Sequence, residues 1–573
     1  MVKVQKNLYL CPFKLKNITT MKKISLLFIV LATALCAKAQ IATNIYWVQF
    51  TDKNDSPYSI DAPEVYLSQR ALDRRARLGI EIDEYDLPVN PQYLQAVANC
   101  GATLLNPSKW LNGVSVYTSS PSVIEEINAL DFVEVVRNCE NFPKAQLDKE
   151  ENLSFEMKDQ GMPRNPKDFY GGAHNQVFQL KVNQLHDMGY DGTGVIIAVL
   201  DGGFEGTPNA GCFDNMRQEG RLLGTRDFVY GSETVYSQST HGTSCLSTMG
   251  AYDPNNMVGT APKASYYLIH TEDGESETIL EEYNWVSGAE YADSLGVDVC
   301  STSLGYIDFD SNMSQWDHTY EHFDGHTAPM TIGAEIAASR GLICVNAAGN
   351  EYDGVCTLGI PADAEHILTV GAVNSDGVRA DFSSVGPTYD GRIKPDVMAM
   401  GQGTYVATGY GNWWPYYNGD GTSFACPVLA GAVACLRQAF PNATVQEISD
   451  VLRQCGDHAD RPDNHYGYGI PDFSEAYNVL QLLHVDDTSA PQNDILMVFP
   501  NPSDGDVHIR LNEVSMAELS VYDIMGRQLK SYHFNGLNHT TLERYLNDLG
   551  SGVYFIKAET DTSSQTVKLV LTR

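Results

Sequence analysis

Positive charge is what this sequence has least of. It carries 38 Lys and Arg against 72 Asp and Glu, a net charge of −34 over 573 residues. Binding to nucleic acid needs clustered Lys and Arg that neutralise phosphates, so that class of partner is excluded. The chain also lacks any apolar run of about 20 residues, the length a membrane-spanning helix requires. It has no repeat of fixed period, which sets solenoids and propellers aside. What is present is ordinary for a folded chain: 43% hydrophobic and 19% charged residues. At about 150 residues per domain, three or four units are expected. The excess carboxylates keep the protein soluble and offer ligands to hard cations such as calcium, without specifying a fold.

An apolar run near the start, ISLLFIVLATALC (Ile24 to Cys36), follows Met21-Lys22-Lys23 and precedes Ala37-Lys38-Ala39. A positive start, about a dozen apolar residues and an A-x-A site make a secretory signal peptide, assigned to residues 1–39. Residues 1–20 fit no targeting pattern, so Met21 is the expected start. Cys36 lacks a small residue before it, which favours simple cleavage after Ala39 over a lipid anchor. Export permits disulfides among the 12 cysteines. Cys245, Cys300, Cys426 and Cys435, however, sit in apolar helix or strand patterns, where a free thiol behaves as a small hydrophobe.

Four further units follow from the pattern. Residues 41–145 mix short alternating segments (IYWVQF, GVSVYT, FVEVV) with the amphipathic EVYLSQRALDRRARLG, an α+β composition. Residues 146–175 are polar, with Pro163, Pro166 and Gly171-Gly172, as an exposed linker would be. Residues 176–485 alternate near-continuous apolar strands (VIIAVL, SYYLIH, VDVCSTSL, GLICVNAA, ILTVGAV) with helical segments, the signature of an α/β parallel sheet with helices on both faces. Residues 488–573 open on Pro491, Pro500 and Pro502 and then alternate as HIRL, ELSVYD, GVYFIKA and TVKLVL, a small β-sandwich.

In an open α/β sheet the ligand-binding loops follow the carboxyl ends of the strands. Asp201 directly follows VIIAVL; His241 opens HGTSCLSTMG; Ser423 opens a helix of small residues, SFACPVLAGAVACL. Taken singly these are a loop acid, a capping or packing imidazole and an incidental cap. In this order within one α/β unit they match the chain order of a subtilisin-type Ser-His-Asp triad. The blocks VIIAVLDGGF, HGTSCLSTMG, STSLG, NAAGN, LTVGAV, DFSSVGP, KPDVMAMG, GTSFACP and GYG also occur in sequence, and over about 300 residues the chain resembles the subtilisin-like serine peptidases (subtilases).

The resemblance implies a peptidase with Asp201, His241 and Ser423 as catalytic residues, cutting protein or peptide substrates through an acyl-enzyme, with no cofactor needed for the chemistry. It implies an oxyanion donor at Asn350, an extended substrate-pairing segment at Ser303, Leu304 and Gly305, and a specificity pocket near Gly359, where a glycine leaves room for a large apolar side chain. Gly421 is expected to let the backbone approach closely. Pro427 is expected to be tolerated because first-turn N–H groups lack partners anyway. Three positions depart from the family pattern: Gly202 replaces Ser or Thr, Ser244 a second histidine, and Cys426 an alanine. None removes a catalytic atom.

Two other readings are open. His318-Thr319-Tyr320-Glu321-His322 matches the H-x-x-E-H zinc motif, which on a helix would place His318 and His322 on one face with Glu321 as partner. Nearby Asp308, Asp310, Asp317, Asp324 and His326 offer ligands for an accessory calcium, or form a solvated loop. The scaffold could also serve as a catalytically inactive surface binding protein. Residues 41–145, with RALDRRARLGIEIDEYDLPVN and SKWLNGVSV, resemble the propeptide of Bacteroidetes-type subtilases; a permanent N-terminal domain is the alternative, and cleavage is expected within 140–176. The end of the chain (VFPNPSDGDVHIRL, LSVYDIMGRQL, SGVYFIKAET, TVKLVLTR) resembles a type IX secretion sorting domain, which implies the type IX machinery as partner and a secreted or cell-surface location. The bland alternative there is a spacer or carbohydrate-binding sandwich. A monomer is expected.

Overall fold

The computed structural model describes residues 43–141, residues 169–484 apart from 233, 353 and 410–414, and most of 496–571. The leader, and the expected linker up to residue 168, lie outside the described residues. Residues 169–175 already belong to the α/β unit, with Tyr170 and Ala173 buried in its core.

Seven strands form one parallel sheet: Ile196–Asp201 (β1), Leu222–Asp227 (β2), Ser265–His270 (β3), Val299–Thr302 (β4), Ile343–Ala347 (β5), Leu368–Val373 (β6) and Val397–Met400 (β7). Their order is β7-β6-β5-β4-β1-β3-β2, and every pairing is parallel. Strands β4 to β7 are buried along their whole length, which is why they read as unbroken apolar runs.

Side chains alternate across a strand, so each central strand feeds two cores. Ile197 and Val199 belong to the core under helix Thr422–Ala439; Ala198 and Leu200 belong to the core under helix Leu280–Leu295. By that alternation the next residue, Asp201, shares the face of Val199. Helix His241–Gly250 lies on the same face, with Leu246 and Met249 in that core. Strand period therefore places the acid on the side from which the imidazole and the alcohol arrive.

The N-terminal unit is a four-stranded antiparallel sheet, in the order Thr103–Ser108, Gly113–Tyr117, Thr43–Phe50, Val133–Asn141, with three α-helices, Gln69–Leu78, Pro91–Asn99 and Pro121–Asn128. It docks on helix Leu280–Leu295. Trp47 stacks on Tyr283 with ring centroids 4.3 Å apart. Around Asp293 of that helix gather Arg74, Arg75 and Lys109 of the N-terminal unit, all buried. The C-terminal unit pairs a three-stranded with a four-stranded antiparallel sheet. Leu496 of the first packs with Leu519, Val521, Ile556 and Leu569 of the second, the β-sandwich expected.

Candidate active site

Asp201 ends β1 and is fully buried. Its Oδ1 accepts the Gly202 N–H at 2.8 Å and lies 2.8 Å from His241 Nδ1. The second hydrogen bond fixes the ring: Nδ1 carries a proton toward the carboxylate, and Nε2 is left to accept one. His241 is the first residue of a helix whose other residues are all buried, so only the imidazole meets the cleft, with its side chain 20% exposed. Burial alone would lower its pKa. The Asp201 carboxylate, with the neighbouring Cys245 sulfur adding to it, more than reverses this and holds the imidazole well above its ordinary 6.5.

Ser423 is the second residue of helix Thr422–Ala439, whose early N–H groups have no helical acceptor and whose dipole is positive at this end. The helix is built of small residues because it runs buried across the sheet, with Ala425 to Arg437 all enclosed. Gly421 precedes it for a reason other than crowding. A Cβ there would meet nothing nearer than Ser423 N at 3.7 Å, but the backbone φ of +153° is a conformation that favours glycine. Pro427 also differs from expectation. Counting from Thr422 it is not in the first turn, and its missing N–H is the one that would bond the Ser423 carbonyl. That carbonyl instead accepts Ser303 Oγ at 2.7 Å and the Cys245 thiol at 3.3 Å.

Cys245 joins the helices that carry His241 and Ser423. Its Sγ is 3.8 Å from His241 Nδ1 and 4.0 Å from Nε2 while also donating to Ser423 O. Phe424 completes the contact, its ring centroid 5.9 Å from that of His241. The Ser423 hydroxyl itself donates to Ser303 O at 3.4 Å, and among the described residues it makes no hydrogen bond to His241. Catalytic hydrogen bonds are often long or misdirected before substrate binds, and a χ1 step between staggered wells redirects a serine Oγ.

Asn350, exposed at the end of NAAGN, turns its amide oxygen to the start of the helix, where it accepts Thr422 N and Thr422 Oγ1, each at 2.9 Å. This leaves the Nδ2 amino group for another acceptor. Ser303, Leu304 and Gly305 follow β4 directly, past its last paired residue Thr302. Gly305 and Gly359 face each other so closely that a Cβ on Gly359 would stand 3.0 Å from Gly305 Cα, and the adjacent Tyr306 and Ile360 exchange backbone hydrogen bonds of 3.1 and 2.9 Å. A Cβ on Gly202 would meet only the far end of a flexible side chain, a Glu272 carboxylate oxygen at 2.8 Å, so the structure does not demand glycine there. Ser244 donates to Ala407 O at 2.7 Å, and Cys426 donates to Thr302 O and Val345 O at 3.2 Å each.

The model of the subtilase family matches residues 192–469 of this chain. Subtilisin NAT of Bacillus subtilis subsp. natto is 31% identical over 299 residues, covering 51% of this chain and 68% of the relative. The chain belongs to the subtilase family. A subtilisin of Bacillus pumilus is 30% identical over 299 residues (51% of this chain, 94% of the relative), and serine protease AprX of Bacillus subtilis is 30% identical over 307 residues (48% and 65%). Flanking this subtilase domain, residues 45–153 match the Bacteroidota propeptide domain of the same peptidase family, and residues 497–572 match a secretion-system C-terminal sorting domain. The protein is thus a secreted serine protease made as a precursor, acting on protein substrates and sorted by the type IX machinery to the cell surface or beyond.

The zinc reading fails on its premise. His318 to His322 is not one helix: only Tyr320–His322 forms a short 3-10 turn. His318 Nε2 pairs with Glu282 at 2.7 Å, and His322 Nδ1 accepts the Thr319 N–H at 3.3 Å. The acidic neighbours act as loop acceptors, Asp317 for Phe309 N and Asp324 for the N–H groups of His326 and Thr327. All ten described cysteines are free thiols. Sequence reasoning missed Cys245, hidden as one more small residue of a buried helix, and Thr422, whose only signal was its place beside Ser423.

Proposed function

We propose that this subtilase is an endopeptidase in which Ser423 Oγ attacks the scissile carbonyl, His241 Nε2 takes the hydroxyl proton, and Asp201 holds the ring and stabilises the imidazolium that forms. The tetrahedral oxyanion receives the backbone N–H of Ser423, at the positive end of its helix, and the Asn350 amino group. His241 then returns its proton to the leaving amine, and water repeats the sequence on the acyl-enzyme. The observation that carries this reading is the 2.8 Å Asp201–His241 contact on the face where Ser423 begins its helix, with Cys245 in contact with both. The substrate main chain adds as a strand along Ser303 to Gly305, beside a pocket at Gly359 that takes an apolar or aromatic side chain.

The chemistry uses no metal, the carboxylates of residues 308–326 being at most a structural calcium site, and the enzyme works as a monomer. The leader carries it across the inner membrane before type IX export. The chain keeps an acid, an imidazole, an alcohol and an amide at Asp201, His241, Ser423 and Asn350, which favours activity over an inert binding scaffold. Ser423→Ala should abolish hydrolysis of a denatured protein substrate, while a zinc chelator leaves the parent enzyme active. Undiminished proteolysis by Ser423→Ala would refute the reading. Mass spectrometry of the secreted form should find a new N-terminus within residues 140–176, and peptide-library profiling should return an apolar preference rather than a basic one.

A further inference from the structure

We propose that the Ser303 hydroxyl is a positioning residue for the nucleophile, fixing the Ser423 peptide by holding the carbonyl that Pro427 leaves without a helical partner. The inference rests on Ser423 being the nucleophile.

In an α-helix the N–H of residue 427 bonds the carbonyl of residue 423. Proline has no N–H, and its ring crowds that same carbonyl. Every other turn of helix Thr422–Ala439 can close its own bonds; the turn that starts at the reactive serine cannot. The carbonyl is not left to water. Ser303 is 7% exposed and Cys245 fully buried, and both donate to it. A thiol is a weak donor, so the 2.7 Å bond from Ser303 Oγ is the one that holds.

The contact is reciprocal, since Ser423 Oγ donates to Ser303 O at 3.4 Å. Residue 303 thus touches both ends of the nucleophile in the free enzyme. A substrate strand pairing along Ser303 to Gly305 brings its own N–H to the Ser303 carbonyl and releases the Ser423 hydroxyl toward His241. The Ser303 Oγ bond persists through that exchange and keeps the Ser423 Cα–Cβ direction constant. Cys426, which donates to Thr302 O and Val345 O, pins the same helix end to β4 and β5.

The test compares Ser303→Ala, Ser303→Thr, Pro427→Ala and the Ser303→Ala/Pro427→Ala pair in the secreted enzyme. It reads kcat, KM, thermal midpoint and the rate at which a fluorophosphonate labels Ser423. Misplacing a reacting atom by 1 Å costs about 100-fold, so Ser303→Ala should slow kcat and labelling by about 10- to 100-fold with KM within about 3-fold. Ser303→Thr, which keeps the hydroxyl, should recover most of the rate. With Pro427→Ala the residue 427 N–H supplies the missing donor, and Ser303→Ala should then cost under about 3-fold. If Ser303→Ala fails to mature, Ser303→Cys, a weaker donor at the same place, carries the comparison: it should slow labelling relative to the parent, and by less when Pro427→Ala is also present. Labelling of Ser423 at the parent rate, or an equal loss with and without Pro427, overturns the inference while leaving the nucleophile assignment standing. A label on another residue overturns the nucleophile assignment itself.

Discussion

Removing the Asp293 carboxylate should all but free the N-terminal domain from the subtilase domain. Asp293 lies on helix Leu280–Leu295 and is fully buried. It pairs with Arg74, with Arg75 at 2.9 Å and with Lys109 at 3.2 Å, side chains that are 2%, 2% and 9% exposed. Burial by itself would raise the Asp293 carboxyl, but Lys109, Arg74 and Arg75 together hold it well below the ordinary carboxylate range. Asp293→Ala leaves these cations enclosed without their common partner. Breaking a buried ion pair from one side costs about 3 to 5 kcal/mol, which is roughly 150- to 5,000-fold in affinity. The assay is titration of the N-terminal domain, residues 41–145, against mature enzyme with and without the substitution. The dissociation constant should rise by that factor while uninhibited kcat is unchanged. Because so little of the cluster meets solvent, raising salt from about 0.05 to 0.5 M should change the parent constant by less than about 3-fold. The depressed carboxyl also sets a direction with pH: its contribution is complete above the ordinary carboxylate pKa near 4 and is lost as pH falls below it. A loss under about 10-fold, or a strong salt effect, would show that the charges are solvated and that the stacked Trp47–Tyr283 contact carries the docking.

Further outcomes follow from the site. Because Asp201 raises the His241 pKa above 6.5, kcat/KM should fall as pH drops through a midpoint above that value, where the base becomes protonated. The stability supplied by this pair runs the other way, being complete below the ordinary 6.5 and lost as pH rises through the raised value. Asp201→Asn should lower kcat by about 10,000-fold and move the acid limb downward, since the main influence opposing burial is then gone; a limb that stays in place would separate Asp201 from the ring's titration. Asn350→Ala should lower kcat by about 100- to 1,000-fold with KM little changed, the scale known for an oxyanion donor in a subtilisin; an equal loss in KM alone would place Asn350 in substrate binding instead.

Much of the sheet was legible because its central strands are buried on both faces. SYYLIH is β3 from first residue to last, VIIAVL is β1 shifted by one residue along the chain, and ILTVGAV is β6 with one extra residue at its start. The edge strand β2, Leu222 to Asp227, was not, because an edge strand is partly exposed and its LLGTRD carries Gly224 and Arg226 where a central strand would carry Val or Ile. The residues proposed for catalysis were readable as motifs at strand ends and helix starts. Their supports were not. Nothing in the sequence signals that Pro427 frees the Ser423 carbonyl for Ser303 and Cys245, since residues 120 and 178 positions apart along the chain meet there. Likewise His318 and His322 match a zinc pattern on paper, but Glu282, on helix Leu280–Leu295, claims the first of them.

The most direct test of the whole account is to treat the secreted protein with a fluorophosphonate and locate the adduct by peptide mapping. The account predicts a single adduct on Ser423, with loss of proteolysis in step with labelling, and no adduct in His241→Ala. Complete labelling of Ser423 with proteolysis intact, or inactivation by an adduct elsewhere, would contradict it.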